Sequence, residues 1–158
     1  MEIYTGILKT DIVQLHIHAD EDGILQIFSS AAKEPEREND IIREAKKQLF
    51  EYFERKRTDF HLPLHLNGTP FQQAVWKVLE MIPYGTVLSY KEVAMRIGKP
   101  SACRAVGGAV GRNPMLIVLP CHRVIGTDGS LTGFSAETGI DLKKKLLLFE
   151  NPNFPISC

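Results

Sequence analysis

Cys121 and His122 are neighbours in the run Pro120-Cys121-His122-Arg123-Val124, which sets a thiol beside a side chain able to take its proton. The thiolate is the nucleophilic form of cysteine. An adjoining His and Arg both favour it over a reference pKa of about 8.5. A buried Cys is by default an inert small apolar residue, and this setting argues instead for nucleophilic chemistry at sulfur. Cys103 and Cys158 have no such surroundings. Three cysteines, an odd number, do not suggest a disulfide framework, so reduced thiols and a cytosolic protein are expected.

The elements around Cys121 have to hold it in place. Met115 to Leu119 is a continuous apolar run, read as a buried strand or extended segment that delivers Cys121 to the interior. Strand neighbours point to opposite faces. Cys121 and His122 can therefore cooperate only if the chain turns there or a water bridges them. Upstream, Thr69-Pro70-Phe71-Gln72 combines an N-cap Thr, Pro at the first helical position and a capping-box Gln. Ser89-Tyr90-Lys91-Glu92 is a second capping box, opening a short helix that Gly98 ends. Pro100 is expected to open a third helix, running to about Gly111. Helix, short Gly-containing turn, helix is the helix-turn-helix pattern.

That third helix is unusual. It carries Ala102, Ala105, Gly107, Gly108 and Ala109, with Arg104 as its one long side chain before Arg112. An interior Gly costs a helix about 1 kcal/mol relative to Ala, so two adjacent ones need a reason. Either the helix packs closely on another, or it approaches nucleic acid in a groove as narrow as the minor groove, roughly 6 Å wide.

The first part of the chain reads as strands followed by a helix. Val13, Leu15 and Ile17 alternate with polar residues, and Asp22-Gly23 turns the chain into the strand Ile24 to Phe28. A polar loop precedes a helix from Ile41 to Phe53, and residues 61–68 form an extended connection. Composition is that of an ordinary globular protein, 44% apolar and 24% charged over 158 residues. No apolar run approaches the ~18 residues of a membrane span, and Met1-Glu2-Ile3-Tyr4, without a basic stretch followed by an apolar one, is not expected to open a secretory signal. The net charge of zero is unevenly spread. Residues 1–70 hold nine Lys and Arg against thirteen Asp and Glu; residues 71–158 hold ten against six. The basic second half fits a polyanionic partner, or simply a mildly basic surface. His16 and His18 share a strand face that could in principle meet a metal with His61 or His65, but no metal site is assigned.

From Thr69 to Glu150 the chain resembles the O6-alkylguanine-DNA alkyltransferases, the methylated-DNA–protein-cysteine methyltransferases. The matching pieces are Thr69-Pro70-Phe71-Gln72, Val87-Leu88-Ser89-Tyr90, Arg104-Ala105-Val106-Gly107-Gly108-Ala109, Gly111-Arg112-Asn113-Pro114 and, most specifically, Pro120-Cys121-His122-Arg123-Val124. The resemblance implies an α/β (α+β) chain. A small ribonuclease-H-like domain over residues 1–66 would precede a helical, winged-helix-like DNA-binding and alkyl-acceptor domain over residues 67–158. It also implies DNA repair: one irreversible transfer of an alkyl group from O6-alkylguanine, with O4-alkylthymine as a second lesion class, to Cys121 of a monomer acting on double-stranded DNA. The lesion is the donor, so no cofactor is expected.

Residue by residue, the resemblance makes Cys121 the acceptor, His122 the base acting through a water, and Glu150 the group that orients His122. Tyr90 would hydrogen-bond the departing guanine, Ser135 would contact its oxygen, and Val124 would line its pocket. Asn113 would be the hinge between the third helix and the Cys121 segment. Arg104 would enter the duplex where the base is extruded, with Ser101, Ala105, Gly107 and Gly108 on the DNA face. Flipping is physically required, because a stacked base does not admit in-line approach of sulfur to the alkyl carbon. Two departures bear on substrate breadth. Phe134 stands where the family commonly has Tyr, and the run Ala136-Glu137-Thr138-Gly139 is slightly longer than usual. A non-catalytic lesion binder would lack the acceptor Cys. A major-groove regulator would carry Arg, Gln or Asn on its recognition helix. A cysteine hydrolase would leave the helix-turn-helix unexplained.

Overall fold

The structure, a computed structural model, describes residues 2–131 and 139–155. It divides into two compact units. The first comprises Met1–Asn67 and Pro114–Val118, the second Gly68–Asn113 and Leu119–Cys158.

In the first unit, β1 (Tyr4–Lys9), β2 (Gln14–Ala19) and β3 (Ile24–Ser29) form an antiparallel sheet in the order β1-β2-β3. The sequence reading found the hairpin of β2 and β3 but not β1, whose alternation is interrupted by Gly6. Helix α1 (Asp40–Phe53) is capped by Asn39, whose side chain accepts from the Ile42 amide. It packs its buried residues Ile42, Ala45, Leu49 and Tyr52 toward β1 and β2. Gly6 lies close under the helix: a Cβ there would be 2.5 Å from Ile42 Cγ2. The segment before Gly68 adds to the far edge, with Leu64 bridged in parallel to Ile24. The buried Asp20 carboxylate fastens it, accepting from the Asp22 and Gly23 amides on Oδ1 and meeting His65 Nδ1 at 2.6 Å on Oδ2.

The run Met115 to Leu119 is not a strand. Met115 makes one parallel bridge to Ile27, and Leu116 N–H donates to Ile27 C=O. The chain then reverses in two successive tight turns. Val118 N–H donates to Leu116 C=O around Ile117, whose φ is 72°, and Cys121 N–H donates to Leu119 C=O around Pro120. Hydrogen bonds from i+2 to i define γ-turns, and the form with positive central φ is strained. For a β-branched residue such a φ costs about 1–3 kcal/mol. Burial of the Ile117 side chain, 1% exposed, offsets part of that cost. Apolar composition marked this segment as buried but carried no period from which its turns could be read.

In the second unit, α2 (Pro70–Glu80) and α3 (Tyr90–Arg96) both start with complete capping boxes, on Thr69/Gln72 and Ser89/Glu92. α4 spans Cys103–Gly111 and α5 Gly139–Glu150. The third helix of the sequence reading thus begins at Cys103, not Pro100. Residues 99–102 form a turn closed by Ala102 N–H to Lys99 C=O, and Ala102 supplies no side-chain cap. Gly98, at φ 75°, gives the left-handed conformation that ends α3. Trp76 on α2 is buried and donates its Nε1–H to Ala109 C=O on α4 at 2.9 Å. β4 (Leu88–Ser89) pairs in parallel with β5 (Val124–Ile125), tying the start of α3 to the residues just after Cys121.

Replacing Gly6 by Ala tests the packing of α1 on its sheet. The new methyl meets a fully buried Ile42, so overpacking should lower unfolding free energy by roughly 1–3 kcal/mol. Urea denaturation reads this directly, and an unchanged midpoint would show that the helix is not seated at Gly6.

Candidate active site

Cys121, His122 and Arg123 form a single 3-10 turn directly after the γ-turn at Pro120. Successive residues of such a turn are rotated by about 120°, not the 180° of a strand. This supplies the turn that the sequence reading required for Cys121 and His122 to act together. All three residues are buried. α5 packs against the turn and brings Glu150, the last residue of the helix, onto it.

Glu150 gathers hydrogen bonds on both carboxylate oxygens. Oε2 accepts from His122 Nε2 at 2.7 Å and Arg123 Nη2 at 2.9 Å. Oε1 accepts from Arg123 Nε at 2.8 Å and the Gly85 amide at 3.2 Å. Burial opposes its charge, yet the bonds and positive charge of His122 and Arg123 hold its carboxyl well below the usual range. An ionised carboxylate can only accept, so His122 Nε2 carries the proton. Burial also keeps His122 below its ordinary value, against the pull of Glu150. The imidazole is therefore neutral, and Nδ1 is its basic atom. That atom is buried and makes no hydrogen bond among the described residues. An unpaired buried acceptor costs about 1–3 kcal/mol.

The thiol corrects one expectation. Instead of being favoured as a thiolate by His122 and Arg123, Cys121 is pushed up to about 11 by burial, only partly opposed by an Asn113 hydrogen bond and the charge of Lys143. The Arg123 guanidinium is spent on Glu150 and on Ile82 C=O, 2.7 Å from Nη1.

The cation that acts on Cys121 is Lys143, which the sequence reading missed. It is buried on α5, its Nζ donates to Val124 C=O, and it lies 3.4 Å from Tyr90 Oη. Desolvation lowers it to about 8, opposed by the charge of Cys121. One lysine in the tract Lys143-Lys144-Lys145 gives no local signal, though the position is one turn before Leu147 on the buried side of α5. Asn113 Nδ2 donates to Leu119 C=O at 2.7 Å, closing the chain's excursion through residues 114–118.

Cys121, His122, Glu150, Asn113, Tyr90 and Val124 are thus all in or beside one site. Ser135 and Phe134 lie outside the described residues, as does most of the 136–139 run. Arg104, Ala105 and Gly108 are exposed on α4 and Gly107 is half-buried; Ser101 is exposed in the turn before it. Of the two reasons for the glycine pair, helix packing finds no support. Among the described residues, a Cβ at Gly108 would meet nothing within 4 Å, and one at Gly107 would touch Tyr90 at 4.0 Å.

His16 and His18 both bond Glu34 Oε1, a carboxylate other than those that His61 and His65 meet: His61 meets Asp59, and His65 meets Asp20. Among the described residues, Asp20, Asp22 and His65 are the group spaced to hold a metal. Asp20 Oδ1 already accepts from the Asp22 and Gly23 amides of the hairpin, and Oδ2 meets His65 itself. Among the described residues no helix is long and apolar enough to cross a membrane.

Two family models match the chain: the 6-O-methylguanine DNA methyltransferase ribonuclease-like domain over residues 3–66 and the DNA-binding domain of the same proteins over residues 70–152. A Methanosarcina barkeri methylated-DNA–protein-cysteine methyltransferase is 44% identical across 96% of this chain and 99% of its own. The crystal structure of a Mycobacterium tuberculosis O6-methylguanine methyltransferase superposes with a TM-score of 0.86 at 38% identity, covering 99% of this chain and 97% of that one. The structure of the Mycobacterium tuberculosis protein OGT in complex with DNA gives a TM-score of 0.82 at 39% identity, over 94% and 93% of the two chains. With the mixed α/β architecture and both halves accounted for, the chain belongs to the 6-O-methylguanine DNA methyltransferase family.

Proposed function

We propose that the chain repairs DNA by accepting one alkyl group from O6-alkylguanine on Cys121, irreversibly and without a cofactor. The observation that carries this is the buried, neutral His122, with Nε2 on Glu150 and a free Nδ1, next in the chain to a buried thiol. A thiol at about 11 lies roughly four decades from ionisation at pH 7, about 5 kcal/mol. A standing thiolate is thus too costly. The proton has to leave as the bond forms, to His122 Nδ1 directly or through a water. Sulfur then bonds the alkyl carbon, the carbon–O6 bond breaks toward guanine, and Tyr90 donates to the departing base. The balance is thiol plus alkylguanine giving thioether plus guanine, with the thiol proton ending on guanine. Nothing in the site reverses a thioether.

In this reading residues 1–66 act as the N-terminal domain and residues 67–158 as the DNA-binding and acceptor domain. The protein works as a monomer in a reducing cytoplasm. Asn113 holds the acceptor segment to α4, while Val124 and Ser135 receive the flipped base. Double-stranded DNA meets α4 through Ser101, Ala105, Gly107 and Gly108, and Arg104 fills the space of the extruded base. Support comes from the bare, exposed face at Gly108 and from the similarity to a relative whose structure includes DNA.

Two variants separate chemistry from binding. Cys121→Ala should abolish transfer from a duplex carrying O6-methylguanine and leave duplex affinity within a few-fold; transfer that survives would place the acceptor elsewhere. Gly108→Ala enters open space in a helix, so it should stabilise the fold by up to about 1 kcal/mol and weaken duplex binding. A stability gain with unchanged affinity would move the DNA surface off α4.

A further inference from the structure

The geometry points to Arg123 as a positioning residue for the transfer: by pairing with Glu150 it holds His122 as an oriented, neutral base, a role that rests on the reading of Cys121 as acceptor. The Arg123 guanidinium forks onto both Glu150 oxygens at 2.8 and 2.9 Å, and its remaining nitrogen donates to Ile82 C=O at 2.7 Å. With His122 and the Gly85 amide, the carboxylate receives four hydrogen bonds. That uses its acceptor sites in full. Neither the carboxylate nor the imidazole ring bonded to it can turn freely.

The fork also settles charge. Glu150 closes α5, where the helix dipole is negative, and the last turn of α5 holds no basic residue. A buried carboxylate lacking a cation would draw a proton onto His122, and an imidazolium has no lone pair left for the thiol proton. Arg123 reaches Glu150 from the turn of Cys121 itself and supplies the missing cation. Other ionisable groups act on His122 as well. Glu150 and Lys143 act on it from α5 and Arg123 from its own turn, where Cys121 precedes it in the chain. Tyr84 lies over Arg123, and Tyr90 beside Lys143. Lys at position 123 would keep the charge but not the two parallel bonds.

A brace that only tied α5 to the turn would change how much protein folds and leave the ionisation of His122 alone. The two are separated by the single-turnover rate constant for methyl transfer from an O6-methylguanine duplex, measured between pH 5 and pH 9 on the full chain. The rate constant reports the reacting molecules, and the amplitude reports their number. In Arg123→Gln the acid limb should move up by about one pH unit or more, with the rate constant at neutral pH about tenfold lower and recovering as pH rises. In Arg123→Lys the limb should stay in place while the rate constant falls by about tenfold. A limb unmoved in Arg123→Gln, with only the amplitude reduced, overturns the inference. Should that variant not fold, an Arg123→Lys rate constant equal to the unmodified protein's at every pH overturns it instead. Failure of the unmodified protein to transfer at all would count against the proposed function and not against Arg123.

Discussion

Around the carboxylate of Glu150, four donors meet on two oxygens: an imidazole N–H, two guanidinium N–H groups and a backbone amide. The side chain is almost wholly buried, so this charge is tolerable only because every acceptor site is used and a cation lies against it. Removing either partner of a buried pair of this kind costs about 3–5 kcal/mol. The end of α5, the 3-10 turn and the α2–α3 connection at Gly85 are all fixed by this one group. The tautomer of His122 follows from it, and the free Nδ1 follows from the tautomer.

The thiol obeys the opposite logic. Glu150 is stabilised as an anion, whereas Cys121 is denied that state by burial, with Asn113 and Lys143 offsetting only part of the cost. A desolvated sulfur is a stronger nucleophile once its proton is gone, because nucleophilicity falls as pKa falls. On the proposed function, such a site avoids a resting thiolate and couples ionisation to transfer. The strained turn at Ile117 and the Asn113–Leu119 bond belong to the same scheme, since they deliver Cys121 from a short chain reversal and not from an extended strand.

Features governed by neighbours in sequence were legible before the structure. Thr69/Gln72 and Ser89/Glu92 form both capping boxes as their spacing required, and the β2–β3 hairpin and α1 lie within a residue or two of expectation. The family resemblance carried by the motif at Cys121 singled out His122 and Glu150 as well, and the structure joins those two by a hydrogen bond. Long-range features were not legible. Arg123 and Glu150 are 27 residues apart, Trp76 and Ala109 are 33 apart, and Lys143 meets Tyr90 across 53. The apolar run at 115–119 misled because burial alone does not distinguish a strand from tight turns. Adjacent His and Arg misled because charge was counted by proximity in sequence, while the guanidinium had a better partner on α5.

Stoichiometric chemistry at one sulfur can be read from intact mass. The full chain is mixed with a molar excess of a duplex carrying one O6-methylguanine and followed over time. Every competent molecule should gain the mass of one methylene, carried on Cys121, and then stop, with repaired guanine equal to modified protein. Repair continuing beyond one equivalent, or the added mass mapping to Cys103 or Cys158, would contradict it.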